Sequence, residues 1–270
     1  MGIKGFLRNF VLYLKDGGIT YADICYRNPS RLLEGRNIVI TGGSSGIGYA
    51  IASKCIKEGA HVAIIARDEK RLRAAQEKLG ENCLWIAADQ SGNVDGLLEE
   101  ARSRMGGHLD GLVNNAGVYI DHGNQGYSMD EWDLVINTNL RGPFFLTKQY
   151  EAYCKENSVK GNVVFVASNR GLYGDTGPYG ISKNGLIHYM YGMARELIKN
   201  GIRINAIAPG MTATEINHID PEDNLYMASC RGKRVILPDE IAEVAVFLLS
   251  DISRSVVGAV VPCDEGDYLR

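Results

Sequence analysis

Tyr179-Gly180-Ile181-Ser182-Lys183 sets a phenol and an ammonium four positions apart, which on a helix puts both on one face within mutual reach. A phenol with an ordinary pKa of about 10 is a poor base at neutral pH, but a neighbouring cation favours its ionised form. Such a pair can exchange a proton with a reacting oxygen. The same spacing also occurs as surface decoration, so its weight depends on the rest of the chain. A second constellation is Gly42-Gly43-Ser44-Ser45-Gly46-Ile47-Gly48. Here Gly42 can take a tight turn, Gly46 clears the path for backbone to approach a pyrophosphate, and Gly48 lets a helix starting near Ile47 pack closely. Amides at that helix start, with the hydroxyls of Ser44 and Ser45, would meet the negative charge. The plain alternative is a glycine-rich turn without a ligand.

Both constellations need elements to hold them. Short apolar runs at 37–41, 61–66, 83–88, 111–114, 162–167, 202–206 and 256–262 read as strands buried on both faces. Helical patterns lie between them at 47–58, 69–79, from Ser128 towards Leu146, 179–200 and 239–249. Asp68 is an N-cap candidate, Ser128 and Glu131 form a capping box, and Gly142-Pro143 should bend or interrupt the helix that follows. Alternating strands and helices predict an α/β fold: a single-domain, doubly wound parallel sheet of about seven strands with helices on both faces. No Pro/Gly/Ser-rich linker divides the chain. The expected organisation is a helical extension over 1–34 and a catalytic domain over 35–270, with a lid at about 211–237. In the extension, Phe6, Leu7, Phe10, Val11 and Leu14 share one helical face. That face is expected to pack on the protein itself or on a sister subunit. Attachment to a membrane surface is the alternative, weakly supported by Lys4, Arg8 and Lys15.

The glycine loop follows the first strand and opens a helix, which is the setting of a dinucleotide-binding turn. At the end of the second strand, where a carboxylate usually takes the ribose hydroxyls of NAD, stands Ala66, followed by Arg67. A guanidinium suits the extra 2′-phosphate of NADP, with Lys70 or Arg71 as helpers. NADP(H) is therefore favoured over NAD(H). In the competing reading Arg67 lies over the adenine, and both cofactors bind.

Composition narrows the classes. With 270 residues, a formal net charge of −3, 45% apolar and 23% charged residues, the chain is neither collagen-like, disordered nor coiled-coil, and it lacks the basic footprint of a nucleic-acid binder. Cys25, Cys55, Cys83, Cys154, Cys230 and Cys263 are scattered without a C-x-x-C pair, so reduced thiols, a cytoplasmic location and no metal site are expected. No run reaches the length of a membrane span, and the amino-terminal stretch lacks the marks of a secretory signal.

Thr41-Gly42-x-x-x-Gly46-x-Gly48, Asn114-Asn115-Ala116-Gly117, Ser168, Tyr179-x-x-x-Lys183 and Pro209-Gly210 occur in the order of the short-chain dehydrogenase/reductase family, which the chain resembles from about Leu33 onward. The resemblance implies a Rossmann-type domain, hydride transfer with NAD(P), a small carbonyl or alcohol substrate, and a homodimer or homotetramer. It makes Tyr179 the general acid/base, Lys183 the group that tunes it and binds the nicotinamide ribose, and Ser168 the hydroxyl that holds the substrate oxygen. Asn139 resembles the residue that keeps a water in the proton relay. Asn115, Ala116 and Gly117 resemble the segment beside the adenosine ribose, Asp89 the residue near adenine, with Gln90 beside it. Pro209, Gly210 and Thr212 match the nicotinamide-side loop, and Thr214 a threonine that reaches the cofactor phosphates.

Two departures stand out. Tyr179 follows Ser168 by eleven residues, a short gap for the family, so the intervening loop through Tyr173, Gly174, Asp175 and Gly177 should reshape the pocket wall. Glu265 stands where relatives often carry glycine, which puts a tight turn and a subunit contact there in question. On the substrate side His218, Tyr226, Met227, Arg231, Lys233 and Arg234, with Tyr119, His122 and Tyr173, could favour a polar or anionic carbonyl compound; the three cations read equally as solvated surface. The expected activity is NADP(H)-dependent interconversion of a ketone or aldehyde with its alcohol. The runner-up is a non-catalytic NADP(H)-sensing regulator or scaffold, against which the intact Ser168, Tyr179 and Lys183 argue. An epimerase or dehydratase holding NAD tightly is disfavoured by Arg67.

Overall fold

The computed structural model describes residues 3–16, 31–122 and 126–269. Cys25 lies outside these residues. Seven strands, β1 (Asn37–Thr41), β2 (His61–Ala66), β3 (Cys83–Ala87), β4 (Gly111–Asn114), β5 (Asn162–Val166), β6 (Arg203–Pro209) and β7 (Val260–Cys263), form one sheet in the order β3-β2-β1-β4-β5-β6-β7. Every pairing is parallel. The helices are α1 (Ile3–Asp16), α2 (Gly46–Lys57), α3 (Glu69–Leu79), α4 (Leu97–Arg104), α5 (Met129–Ile136), α6 (Gly142–Asn157), α7 (Pro178–Leu197) and α8 (Pro238–Leu249).

Side chains of a strand alternate between faces, and β1 shows how the core divides. Ile38 and Ile40 join Ile51 and Cys55 of α2, Leu72 of α3 and Ile241 and Ala245 of α8. Val39 points into the other layer, with Leu98 of α4, Leu146 and Tyr150 of α6 and Leu186 and Met190 of α7. Burial on both sides explains why the strands read as continuous apolar runs. Lys54 locks α2 to α8, its Nζ 3.3 Å from Glu58 and 2.8 Å from Glu243.

The caps fall where side chains can satisfy free amides. Asp68 accepts from the Arg71 amide at 3.1 Å, and the Ser128 hydroxyl accepts from the Glu131 amide at 3.2 Å while Glu131 accepts from the Ser128 amide at 2.9 Å. Several boundaries differ from the sequence expectation. The sequence reading missed α4, because LLEEARSR buries only Leu98 and Ala101 and shows little apolar periodicity. The helix from Ser128 does not end near Leu146. After α5 it passes through a π turn, Asn137–Arg141, and α6 continues to Asn157. Gly142 and Pro143 open α6, where proline needs no amide partner. The last strand starts later than residue 256, because the Asn205 side chain takes the Val256 carbonyl and the Ala259 amide at 2.9 and 3.0 Å in place of a strand ladder.

Residues 3–16 are helical, but the apolar face of α1 is not buried on the domain: Leu7, Phe10, Val11 and Leu14 are at least half exposed, while Asn9 is buried. The expectation that this face packs on the protein itself is corrected accordingly. Leu33, by contrast, lies fully inside the core. No helix among the described residues is long and apolar enough to cross a membrane.

Candidate active site

The sheet reverses its winding between β1 and β4, and such switch points open a crevice beyond the carboxyl ends of the strands. A cleft of about 600 Å³ lies there. It is bordered by Gly42, Ser44, Ser45, Gly46, Ile47, Arg67, Asp89, Gln90, Asn115, Ala116 and Thr214 at one end, and by Gly117, Ser168, Tyr179, Lys183, Pro209, Gly210 and Thr212 at the other. Of the catalytic and cofactor-binding residues expected from sequence, only Gly48 and Asn139 do not line it; of the substrate-side candidates, His122, Tyr173, Tyr226 and Met227 also lie off it.

The glycine loop fits a dinucleotide by its own geometry. Gly42 and Gly46 have φ of 67° and 53°, a left-handed backbone that favours glycine. A Cβ on Gly42 would come within 2.8 Å of the Ala116 Cα, and one on Gly46 would meet Thr214 at 3.3 Å, so both glycines keep the walls of the crevice close. Gly48 is needed for packing, since a Cβ there would run into the Gly42 carbonyl and the Asn115 amide. Ser45, the N-cap residue of α2, makes no side-chain cap bond, which leaves that helix's first amides available to an anion.

Two of the residues expected at the adenosine end are occupied by the protein itself. Asn115 donates to the carbonyls of Thr41 and Gly42 at 2.9 and 3.2 Å, tying β4 to the loop. Gln90 is buried and donates to the carbonyls of Ala116 and Thr138 at 3.2 and 2.7 Å. Arg67 stands 4.0 Å from Asp89, and Arg71 pairs with Glu215 at 2.8 Å. This end of the cleft therefore holds two guanidinium groups with Asp68, Asp89 and Glu215 beside them.

At the other end the expected trio assembles. α7 carries Tyr179 and Lys183 on one face, and Ser168 follows β5. The Tyr179 phenol and the Ser168 hydroxyl both face the cleft. Burial pushes the phenol above its ordinary pKa, while the Ser168 hydroxyl and the Arg170 charge pull it down. Lys183 Nζ donates to the Val166 carbonyl at 2.9 Å and lies 5.7 Å from the centre of the Tyr179 ring. Its burial lowers the ammonium to about 8. Asn139, inside the π turn, acts as a strut. Its amide donates to the Val118 carbonyl and Ser182 Oγ at 3.0 and 3.1 Å, and its Oδ1 accepts from the Val118 amide at 2.8 Å.

Sequence reasoning missed Arg170, although it stands two residues after Ser168 in Ser168-Asn169-Arg170-Gly171. Met211, Ile216 and Asn217 also join the lining; hydropathy could not single out such lid residues. His218 and Tyr119 border the cleft as expected, whereas Arg231, Lys233 and Arg234 do not. Lys233 donates to the Ala228 carbonyl at 2.9 Å, and Arg234 forks onto Glu240 at 2.8 and 2.6 Å and pairs with Glu265. Those cations are bound to the protein rather than offered to a substrate. The turn in question at Glu265 is retained: Glu265 takes a φ of 50°, and Asp264 caps the Gly266 and Tyr268 amides at 3.1 and 2.7 Å. Among the described residues no group of His, Cys, Asp and Glu could hold a metal ion.

Comparison with known proteins agrees with this geometry. Residues 36–224 match the family model described as short chain dehydrogenase. An uncharacterized oxidoreductase of Mycobacterium bovis is 33% identical over 88% of this chain and 99% of its own length. A 3-oxoacyl-[acyl-carrier-protein] reductase of Thermotoga maritima is 35% identical over 87% of this chain and 98% of its own. The solved 3-ketoacyl-(acyl-carrier-protein) reductase of Brucella melitensis, complexed with NADH, superposes with a TM-score of 0.80 at 29% identity, covering 87% of this chain and 99% of that one.

Proposed function

The chain belongs to the short-chain dehydrogenase family, and from that premise we propose that it is an NADP(H)-dependent oxidoreductase interconverting a ketone or aldehyde with its alcohol. The observation that carries this reading is that Tyr179, one helical turn ahead of the buried Lys183, lines the cleft together with Ser168. In the reduction direction Ser168 holds the substrate oxygen and Tyr179 delivers a proton to it; in oxidation Tyr179 removes that proton. The nicotinamide, when bound, supplies or accepts the hydride. The glycine loop and the α2 amides are suited to its pyrophosphate, Thr214 to the opposite side of the phosphates, and Pro209 and Gly210 to the nicotinamide side. Asn139 fixes the Val118 backbone against α7, so the route for proton replacement runs past a rigid strut.

The preference for NADP(H) rests on Arg67 and Arg71 beside the adenosine end, where a 2′-phosphate would gain charge-assisted bonds. Arg231, Lys233 and Arg234 lie off the cleft, so those three cations are not part of the proposed substrate site. A homodimer or homotetramer in the cytoplasm completes the proposal. The test is NADPH consumption by the purified protein against a panel of ketones and aldehydes. Turnover with at least one compound is expected, and tight NADPH binding without any consumption would instead support a cofactor-sensing role.

A further inference from the structure

Arg170 pairs the loop between Ser168 and Tyr179 with two carboxylates, Asp175 within it and Asp121 at 3.5 Å outside it. Arg170 Nε donates to Asp175 Oδ2 at 2.5 Å, and Asp175, nearly buried, also accepts from the Gly177 amide at 2.8 Å just before α7 begins. Asp175 packs so closely on Gly180 that no Cβ fits there. From the other side, Arg170 Nη1 donates to the Tyr119 hydroxyl at 2.9 Å, and that hydroxyl donates to Asp121 at 2.6 Å. Tyr119 in turn packs edge-on against Tyr179, ring centres 4.9 Å apart. The guanidinium thus has a fixed place, 6.0 Å from the centre of the Tyr179 ring, matching the 5.7 Å of Lys183 Nζ.

We propose that Arg170 is a positioning residue of the reaction, anchored by Asp175 and acting through Tyr179 as the permanent positive charge beside that phenol. The proposal rests on the acid/base role given to Tyr179 above. Facing Tyr179 are Lys183 and Ser168, Arg170 after β5, Tyr173 and Asp175 before α7, and Tyr119 and Asp121 after β4. Of the charges among them, Arg170 favours the phenolate more than Asp175 opposes it. Lys183 is a conditional cation, because burial brings it to about 8. Arg170 is not. Burial works against its charge, but Asp175, Tyr119 and Asp121 together more than offset this, so the guanidinium stays protonated at any working pH. The short loop noticed in the sequence has a consequence here: it places a second cation over the phenol.

The test compares Arg170→Gln, whose amide can still donate to Asp175 but which loses the charge and the bond to Tyr119, with Arg170→Lys, which keeps the charge. Alcohol-oxidation kcat/KM is followed from about pH 6 to about pH 10, alongside thermal melting. In Arg170→Gln the ascending limb is expected to move up by about 0.5–1 pH unit, with roughly 3–10-fold slower oxidation at neutral pH. Arg170→Lys should keep the limb near its parent position. A parental profile in Arg170→Gln, or an equal shift in both variants, overturns the proposal. So does loss of folding in Arg170→Gln, which would make Arg170 a strut of the loop. Tyr179→Phe in the same series separates the premise: if it still turns over, the acid/base assignment fails, whatever Arg170 does.

Discussion

Lys183 Nζ sits 5.7 Å from the centre of the Tyr179 ring and gives its hydrogen bond to the Val166 carbonyl at 2.9 Å. In the proposed reaction the ammonium would act on the phenol through space, from a place fixed by the last residue of β5. Its charge persists below about 8, since burial lowers its pKa to that value. Ketone reduction is expected to hold steady on the acid side and to decline as pH rises through about 8, when the ammonium deprotonates. A kcat/KM profile that is flat through this range would contradict the assignment.

Ser168→Ala removes the hydroxyl that lines the cleft with Tyr179 without opening a cavity of any size. Loss of a positioned donor at a reacting oxygen costs about 10²–10³ in kcat. NADPH affinity, measured by fluorescence titration, should stay within a few-fold of the parent. A loss confined to affinity would place Ser168 outside the chemistry.

At the adenosine end Arg71 is paired with Glu215 at 2.8 Å across the cleft, both side chains well exposed. A 2′-phosphate would have to compete with that carboxylate, so Glu215→Gln should raise the NADPH-over-NADH ratio of kcat/KM. Arg67→Ala and Arg71→Ala should lower it. Shifts of roughly 3–30-fold are expected for charge-assisted contacts at an exposed site. Ratios unchanged in all three variants would remove the basis for NADP(H) preference.

Stability depends on a separate cluster. Glu58 is buried, accepts from the Leu32 amide at 3.2 Å and is 3.3 Å from Lys54. Lys54→Met leaves that carboxylate without its cation, and breaking a buried pair costs about 3 kcal/mol. Denaturant melting should show the loss, while kcat of the folded fraction is unchanged. A variant as stable as the parent would mean that Glu58 is sufficiently held by backbone donors.

Much of the architecture was legible because its signals are local. The β1 run, the positive-φ glycines 42 and 46, and the caps at Asp68 and Ser128 each follow from one stretch of sequence. The Tyr179–Lys183 spacing needs only a helix to become a geometry. What stayed hidden depends on contacts between distant segments. Nothing local announces that Asn205 would replace a strand ladder at 256–259, or that α1 would leave Leu14 exposed. Arg170 escaped notice for a related reason: its partners Asp175, Tyr119 and Asp121 come from two loops, and only the folded sheet brings them to Tyr179. The cations of the lid illustrate the converse, since composition could not tell that Glu240 and Glu265 had already taken Arg234.

The most direct measurement is the single-turnover rate of carbonyl reduction by Tyr179→Phe together with its NADPH dissociation constant. Proton donation by Tyr179 predicts a fall of at least about 10²–10⁴-fold in rate with cofactor binding nearly unchanged, because the glycine loop that also lines the cleft is untouched. Turnover within a few-fold of the parent would contradict the account at its centre.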